Sequence, residues 1–267
     1  MGKNTREKRG MAQGRNRKKK QRRKHRLVLV MILLLAAGGV FYMKILENRT
    51  VPSFLKWFSE EDYPESLVAF AKKYPQAEEF VRNYPKKKDL HRPIDISGEV
   101  TKGVVPLLLQ WDERWGYERY GDDFLGVNGC GPTTLSMVYC GLTGDSSWNP
   151  YEVAKMADAN GYYVSGVGSS WDLMNAGAQK LGLTVHEVGY SEEEILNALK
   201  SGLTLVCSMG PGDFTYTGHF VALIGIDSDG KIIVRDCNSP VNSEKTWGIS
   251  ELMPQIAGVW GYSYENV

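Results

Sequence analysis

The sequence predicts an α+β domain over residues 104–267, and three observations predict it. Capped helical segments come first, in "GPTTLSMVYCGL", "NPYEVAKMADANG", "SSWDLMNAGAQKLG" and "SEEEILNALKSG". Runs rich in β-branched and aromatic residues come last, in "LTLVCSM", "GHFVALIGI", "KIIVRDC" and "AGVWGYSY". "DSDG" at 227–230 joins two of these runs as a hairpin turn. Helices and strands are thus segregated, and the strands run antiparallel.

Each element has a local reason. "PLLLQWDERW" opens the domain, and an irregular stretch with Gly116, Gly121 and Gly126 follows. The first helix ends at Gly141. The second has Asn149 as cap, Pro150 in the first position and Glu152 three after the cap, and Gly161 ends it. The third ends at Gly182, and "LTVHEVGY" is a short strand. The fourth has Ser191 as cap, with Glu194 placed to close the box.

The chain has 267 residues, 42% hydrophobic and 24% charged, and a net charge of +1 that hides a strong asymmetry. Residues 1–26 are almost all basic or polar, with Glu7 the only acid, so the remainder is net acidic. Next comes "LVLVMILLLAAGGVFYMKIL", residues 27–46, interrupted only by Lys44. Roughly 20 apolar residues cross a bilayer, and Tyr42 and Lys44 suit its interface. The reading is one N-terminal transmembrane anchor. The basic run stays cytoplasmic by the positive-inside bias, and the rest lies outside the cell. A cleaved signal peptide is the alternative, but its apolar core spans only about 7–15 residues and an A-x-A-like site follows it. The basic run adjoins the apolar span directly, which favours anionic lipid over nucleic acid as its partner.

Residues 47–103 read as a linker and a short helical region. Tyr-Pro pairs at 63–64, 74–75 and 84–85 punctuate two helices near 64–73 and 75–83. Leu67, Phe70, Phe80 and Val81 supply their apolar contacts. The pair reads as a packing spacer, with a stalk or a substrate-contact element as the other reading. His91 lies in a solvated loop.

The chemistry centres on "VNGCGPTTLSMVYCG", residues 127–141. Pro132 suits a first helical turn, so Cys130 sits at the amino end of a helix, where the dipole and free N–H groups favour a thiolate. Its own N–H can face an oxyanion. Gly129 and Gly131 permit tight turns and close approach of a substrate. Cys140, near the far end, is a core thiol. The four cysteines fit no zinc spacing and no C-x-x-C pair, and "DSDG" lacks the rest of a calcium loop. Cys207 and Cys237 lie in predicted strands and are the candidates for a disulfide, against unpaired buried thiols.

A thiol nucleophile needs a base. Of four histidines, His25 precedes the apolar span, His91 is in the loop and His186 lies in a short strand. His219 alone stands at a loop-to-strand junction, behind Gly218, which is a further substrate-binding candidate. An ordinary hairpin through "DSDG" returns the end of the next strand to His219 and brings up Asp236 as its orienter. Asn238, on the same face by strand alternation, is the alternative.

Cysteine in "GCGPT", histidine in "GHF" opening a strand, and aspartate closing the following strand resemble the papain-like cysteine peptidases. With "QWDERWG" ahead of them, they are closest to the bacteriocin-processing-peptidase-like branch, over roughly residues 104–264. The resemblance implies a papain-like fold, with the cysteine helix packed on an antiparallel sheet. It implies Cys130 as nucleophile, His219 as base, Asp236 as orienter, and Gln110 as oxyanion donor, with Asn128 as a nearer alternative. It further implies hydrolysis of a peptide bond in a peptide or protein substrate, without metal or cofactor. An amidase or acyl transferase on cell-wall or other amides, and a non-catalytic binding module on the same fold, remain open. No ATP-binding motif accompanies the domain, unlike the transporter-fused leader peptidases.

Overall fold

The computed structural model describes residues 63–265. The basic run and the 27–46 span lie outside these residues. Helix α1, Glu65–Lys73, starts after Pro64 and buries Leu67, Phe70 and Ala71, one stripe at helical spacing. Pro75 opens a 3₁₀ turn that runs into α2, Glu78–Lys87. This helix continues past its expected end at 83, because Pro85 lies inside it. The proline falls in the last turn, where a lost backbone bond interrupts little. The pair is fixed to the body. Phe80 stacks on Tyr117 at 4.5 Å, the Tyr117 hydroxyl donates to the Phe80 carbonyl at 2.6 Å, and Ser66 Oγ donates to Asp123 at 2.9 Å.

After buried Trp115 the chain makes a two-stranded excursion. Strands β1, Arg119–Tyr120, and β2, Asp123–Phe124, pair antiparallel. Gly121 makes the turn at φ +64°. The short helix α3, Leu125–Asn128, follows. Leu125 N–H donates to Glu118 O at 2.7 Å and Gly126 N–H to Gly116 O at 2.9 Å, so the excursion closes on itself.

Helix α4, Cys130–Thr143, is buried continuously from Gly131 to Gly141. A helix apolar all round is the core of its domain. It ends at Gly144 and not at Gly141. Gly144 holds the left-handed φ of +77° that a helix end favours. Gly141 stays helical for another reason: a Cβ there would stand 2.6 Å from the Val105 Cα. Helix α5, Pro150–Ala159, is capped by Asn149, which accepts from the N–H groups of Tyr151 and Glu152. Glu152 pairs with Lys155, so only this half of the expected box is made.

A small hairpin, β3 (Tyr163–Val164) with β4 (Gly168–Ser169), follows α5. The predicted third helix splits into a 3₁₀ turn, Trp171–Leu173, and α6, Ala176–Lys180. Asn175 breaks it at ψ −85°. Then follow β5 (Thr184–Glu187), α7 (Glu192–Lys200, with Ser191 accepting from Glu194 N–H), β6 (Thr204–Met209), β7 (His219–Ile226), β8 (Ile232–Arg235), α8 (Pro240–Glu244), β9 (Thr246–Trp247), α9 (Ile249–Leu252) and β10 (Ile256–Ser263).

The six large-sheet strands run in the order β5-β10-β6-β7-β8-β9, every pair antiparallel. The domain is therefore α+β, with helices on a six-stranded antiparallel sheet. One face, with Val206, Phe220, Ala222 and Tyr262, packs against the α4 core. The other, with Leu205, Val221, Leu223 and Val234, is covered by Ile195 and Leu199 of α7. Cys207 belongs to the second cluster and Cys237 to the first, so the sheet separates the two disulfide candidates and the alternative of unpaired buried thiols holds. All four cysteines are free.

Gly141→Ala gains helix propensity but drives a methyl group into Val105 backbone. The expected net cost is about 1–3 kcal/mol. Gly144→Ala loses about 1 kcal/mol at its positive φ. Thermal unfolding of the two variants checks the order, with Gly141→Ala the less stable.

Candidate active site

Cys130 begins α4, and Gly129 immediately before it is non-helical at φ −87°, ψ 16°. The helix is tied to the sheet beside the cysteine. Thr134 Oγ1, one turn on, donates to the Phe220 carbonyl at 3.0 Å, and Phe220 follows His219. The sequence offers no sign of this contact, since Thr134 reads there as an ordinary helical residue. It holds the helix of Cys130 against the strand that carries the His219 imidazole.

His219 opens β7 and its Nε2 hydrogen-bonds Asp236 Oδ1 at 2.7 Å, with only 5% and 1% of the two residues exposed. A bulge decides this contact. Near the turn, Ile226 pairs with Ile232 and Gly225 with Ile233; beyond it, Leu223 pairs with Val234 and Ala222 with Arg235. Ile224 is the extra residue. Without it the register would place Asp236 opposite Ala222, on the face away from His219. A one-residue shift exchanges faces, and the bulge sets Asp236 on the face of His219, Val221 and Leu223. The ordinary hairpin expected from the sequence is thus corrected, while the neighbour it proposed stays.

Asn238, the alternative orienter, does not take that place. The chain turns after β8: Asp236 Oδ1 accepts the Asn238 N–H at 2.9 Å, and Ser239 N–H donates to Asp236 O at 3.2 Å. Helix α8 completes the carboxylate's surroundings. Asn242 Nδ2 donates to Asp236 Oδ2 at 2.9 Å, and Ser243 Oγ accepts from the Asp236 N–H at 2.8 Å.

These contacts set the charges. Burial pushes the Asp236 carboxyl up, but the His219 charge, its hydrogen bond and those from Asn242 and the Asn238 N–H hold it below the usual range. Burial pushes the His219 imidazole down. The Asp236 carboxylate and the Cys130 sulfur outweigh this and carry it to about 10. Burial also raises the Cys130 thiol, yet hydrogen bonding and charge from His219, with backbone N–H groups of Phe220 and Gly131, bring it below its ordinary value. These directions favour a thiolate–imidazolium pair with a carboxylate behind it. By contrast, burial pushes Cys140 up to about 12 and, with the nearby Cys130 and Asp236 charges, Cys237 well above its usual value. Those thiols stay neutral.

A cavity of about 430 Å³ opens over Cys130 and His219, lined also by Gln110, Asn128, Gly218 and Asn238. Gln110 stands 20 residues from Cys130 in sequence and beside it in space, because the closed β1–β2 excursion takes up the intervening chain. Its Nε2 donates to Gly126 O at 2.9 Å and its backbone N–H to Cys237 O at 2.8 Å. Asn128 instead donates to the Tyr163 hydroxyl at 3.1 Å and to Asp122 at the rim. Gly129 and Gly131 face protein and not the cavity: a Cβ on them would meet Leu125 O or Ser169 Oγ at 2.3 Å. Their contribution is close packing, together with the Gly131 N–H toward the sulfur. His186 bonds Ser263 at 2.7 Å and His91 pairs with Glu118 on the surface, so neither enters the site.

His219, Asp236 and Cys237 offer metal-ligand atoms within 4.8 Å of one another. The first two are engaged with each other. Phe70 and Tyr74, from the helical region ahead of the domain, also line the cavity. The pair predicted as a spacer therefore forms part of the wall. Among the described residues no helix is long and apolar enough to cross a membrane.

Residues 103–266 match the family described as Peptidase_C39 like family. No curated protein matches the chain. The ion pair makes a direct prediction. Iodoacetamide alkylates Cys130 at pH 7, and its rate falls as the pH drops through the lowered thiol value. In His219→Ala the hydrogen bond and charge of the imidazole are lost and only the backbone N–H groups still oppose burial, so the half-maximal pH moves up. Mass spectrometry of the alkylated peptide across pH 5–11 checks the shift.

Proposed function

The chain belongs to the Peptidase_C39 like family and is a cysteine peptidase, and from that premise we propose that it hydrolyses a peptide bond in an extracellular peptide or protein through Cys130, His219 and Asp236. The observation that carries the assignment is the buried His219–Asp236 hydrogen bond at 2.7 Å beside a thiol brought below its ordinary value. With Nε2 engaged by Asp236, Nδ1 is the nitrogen that serves the sulfur. The layout, a nucleophile helix packed on the sheet that carries the base, is that of a papain-like peptidase.

In this mechanism the Cys130 thiolate adds to the scissile carbonyl carbon and the carbonyl oxygen takes the negative charge. Gln110, buried at the cavity wall, is the proposed side-chain donor to that oxygen, its Nε2 giving up the longer of its two bonds, that to Val127 O at 3.2 Å, to do so, and the helix amino end adds its field. The imidazolium gives its proton to the leaving amine as the C–N bond breaks, leaving a thioester on Cys130. Water then adds to the thioester, His219 takes its proton, and the acid and the thiolate separate. Asp236 holds the ring orientation and the charge throughout.

We place the enzyme at the cell membrane, single-pass through 27–46, with its amino terminus cytoplasmic and its catalytic domain outside. The charge asymmetry of the sequence supports this reading.

The full-length chain is expected to cut members of a randomised peptide library, and Cys130→Ala to cut none. Asp236→Asn should lower kcat by about ten- to a hundredfold with little change in KM, since it acts on the proton-transferring ring. Cleavage of peptidoglycan stem peptides alone would move the assignment to a wall amidase. Retention of peptide cleavage by Cys130→Ala would remove the nucleophile. Surface proteolysis of intact cells tests location: loss of the domain with survival of the amino terminus is expected.

A further inference from the structure

The helical segment ahead of the family-matched domain does more than fill space. Tyr74, which follows α1, lines the Cys130 cavity and also a second cavity of about 370 Å³ with Thr215, Asp236 and Asn242. The second cavity lies on the Asp236 side of His219. A leaving amine takes its proton from the free Nδ1 of His219 and so lies on the His219 side of the Cys130 sulfur. Tyr74 therefore stands where the substrate chain passes from the acyl side of the cut to the leaving side.

Two polar groups meet at this junction. The Asn238 side chain is 3% exposed and lines the first cavity, and its Oδ1 is buried without a hydrogen-bond partner. An unpartnered buried acceptor costs free energy unless a ligand supplies a donor. The Tyr74 phenol lines the same cavity as Asn238. Burial, together with the nearby Cys130, Asp236 and Cys237 charges, keeps it protonated. At this wall the phenol O–H can donate and Asn238 Oδ1 can accept. One donor beside one acceptor is the complement of a backbone peptide group, which carries one of each. The wall that presents Tyr74 is anchored, since Leu67 and Ala71 of α1 are fully buried.

We propose that Tyr74 and Asn238 bind a backbone amide of the substrate next to the scissile bond, on its leaving side, and so make the enzyme an endopeptidase that requires a peptide leaving group. This rests on the peptidase reading above. Small reporter amides lack the group that these two side chains hold, and so are poor substrates.

The test uses the full-length chain and a peptide found by library cleavage. Its kcat/KM is compared with that of the same acyl segment on aminomethylcoumarin, in wild type, Tyr74→Phe, Asn238→Ala and the double variant. Tyr74→Phe keeps the ring and so the wall. The ratio of the two kcat/KM values is expected to fall about fivefold in each single variant, the worth of one hydrogen bond. It should fall less than additively in the double variant, because both groups hold one amide. An unchanged ratio in both single variants overturns this proposal and leaves the peptidase reading standing. A wild-type chain that cuts no library peptide overturns both.

Discussion

The site depends on the buried hydrogen bond between His219 and Asp236. Without it the imidazole, in a setting where burial disfavours its charge, would be neutral and the thiol with it. With it, the imidazole stays charged to about pH 10 and the thiol is drawn down. The bond in turn depends on one extra residue, Ile224, in β7. That residue turns Asp236 to the face of His219, and α8 then closes over the carboxylate with Asn242 and Ser243. The charge is stabilised because its lone pairs are met on every side, which is the condition under which a buried ion pair persists.

Cys130 and His219 come from different halves of the fold, so their spacing is a matter of helix–sheet packing. Helix α4 is buried on nearly its whole surface, and Gly141 lets its far end lie against the Val105 backbone. Thr134 fastens its near end to the carbonyl beside His219. A rigid core with these ties keeps the Cys130 sulfur and the His219 imidazole in register with all four cysteines free.

Much of this was legible in the sequence. Cys130 announced itself by glycines and a proline ahead of an apolar run, and His219 by its junction position. Both signals are local. Asp236 was reached through a regular hairpin that the structure replaces. A bulge inside "GHFVALIGI" leaves no trace, because Ile224 is one apolar residue among several. The end of α4 was misplaced because a glycine required for packing and a glycine required for φ look alike in one dimension. The place of Gln110 could not be decided from spacing, since it depends on how an excursion closes. Tyr74 was hidden for the same reason: its role arises where a preceding helix docks, and no neighbour in sequence hints at it.

Catalysis as proposed requires that His219 be an imidazolium, held by Asp236, while Cys130 is a thiolate. Nitrogen-15 chemical shifts of His219 in the full-length chain, followed from pH 5 to 11, test it most directly. Both ring nitrogens should report the protonated form through neutrality, with the transition near 10. A single transition near 6.5, the ordinary histidine value, would contradict the ion pair and the mechanism built on it.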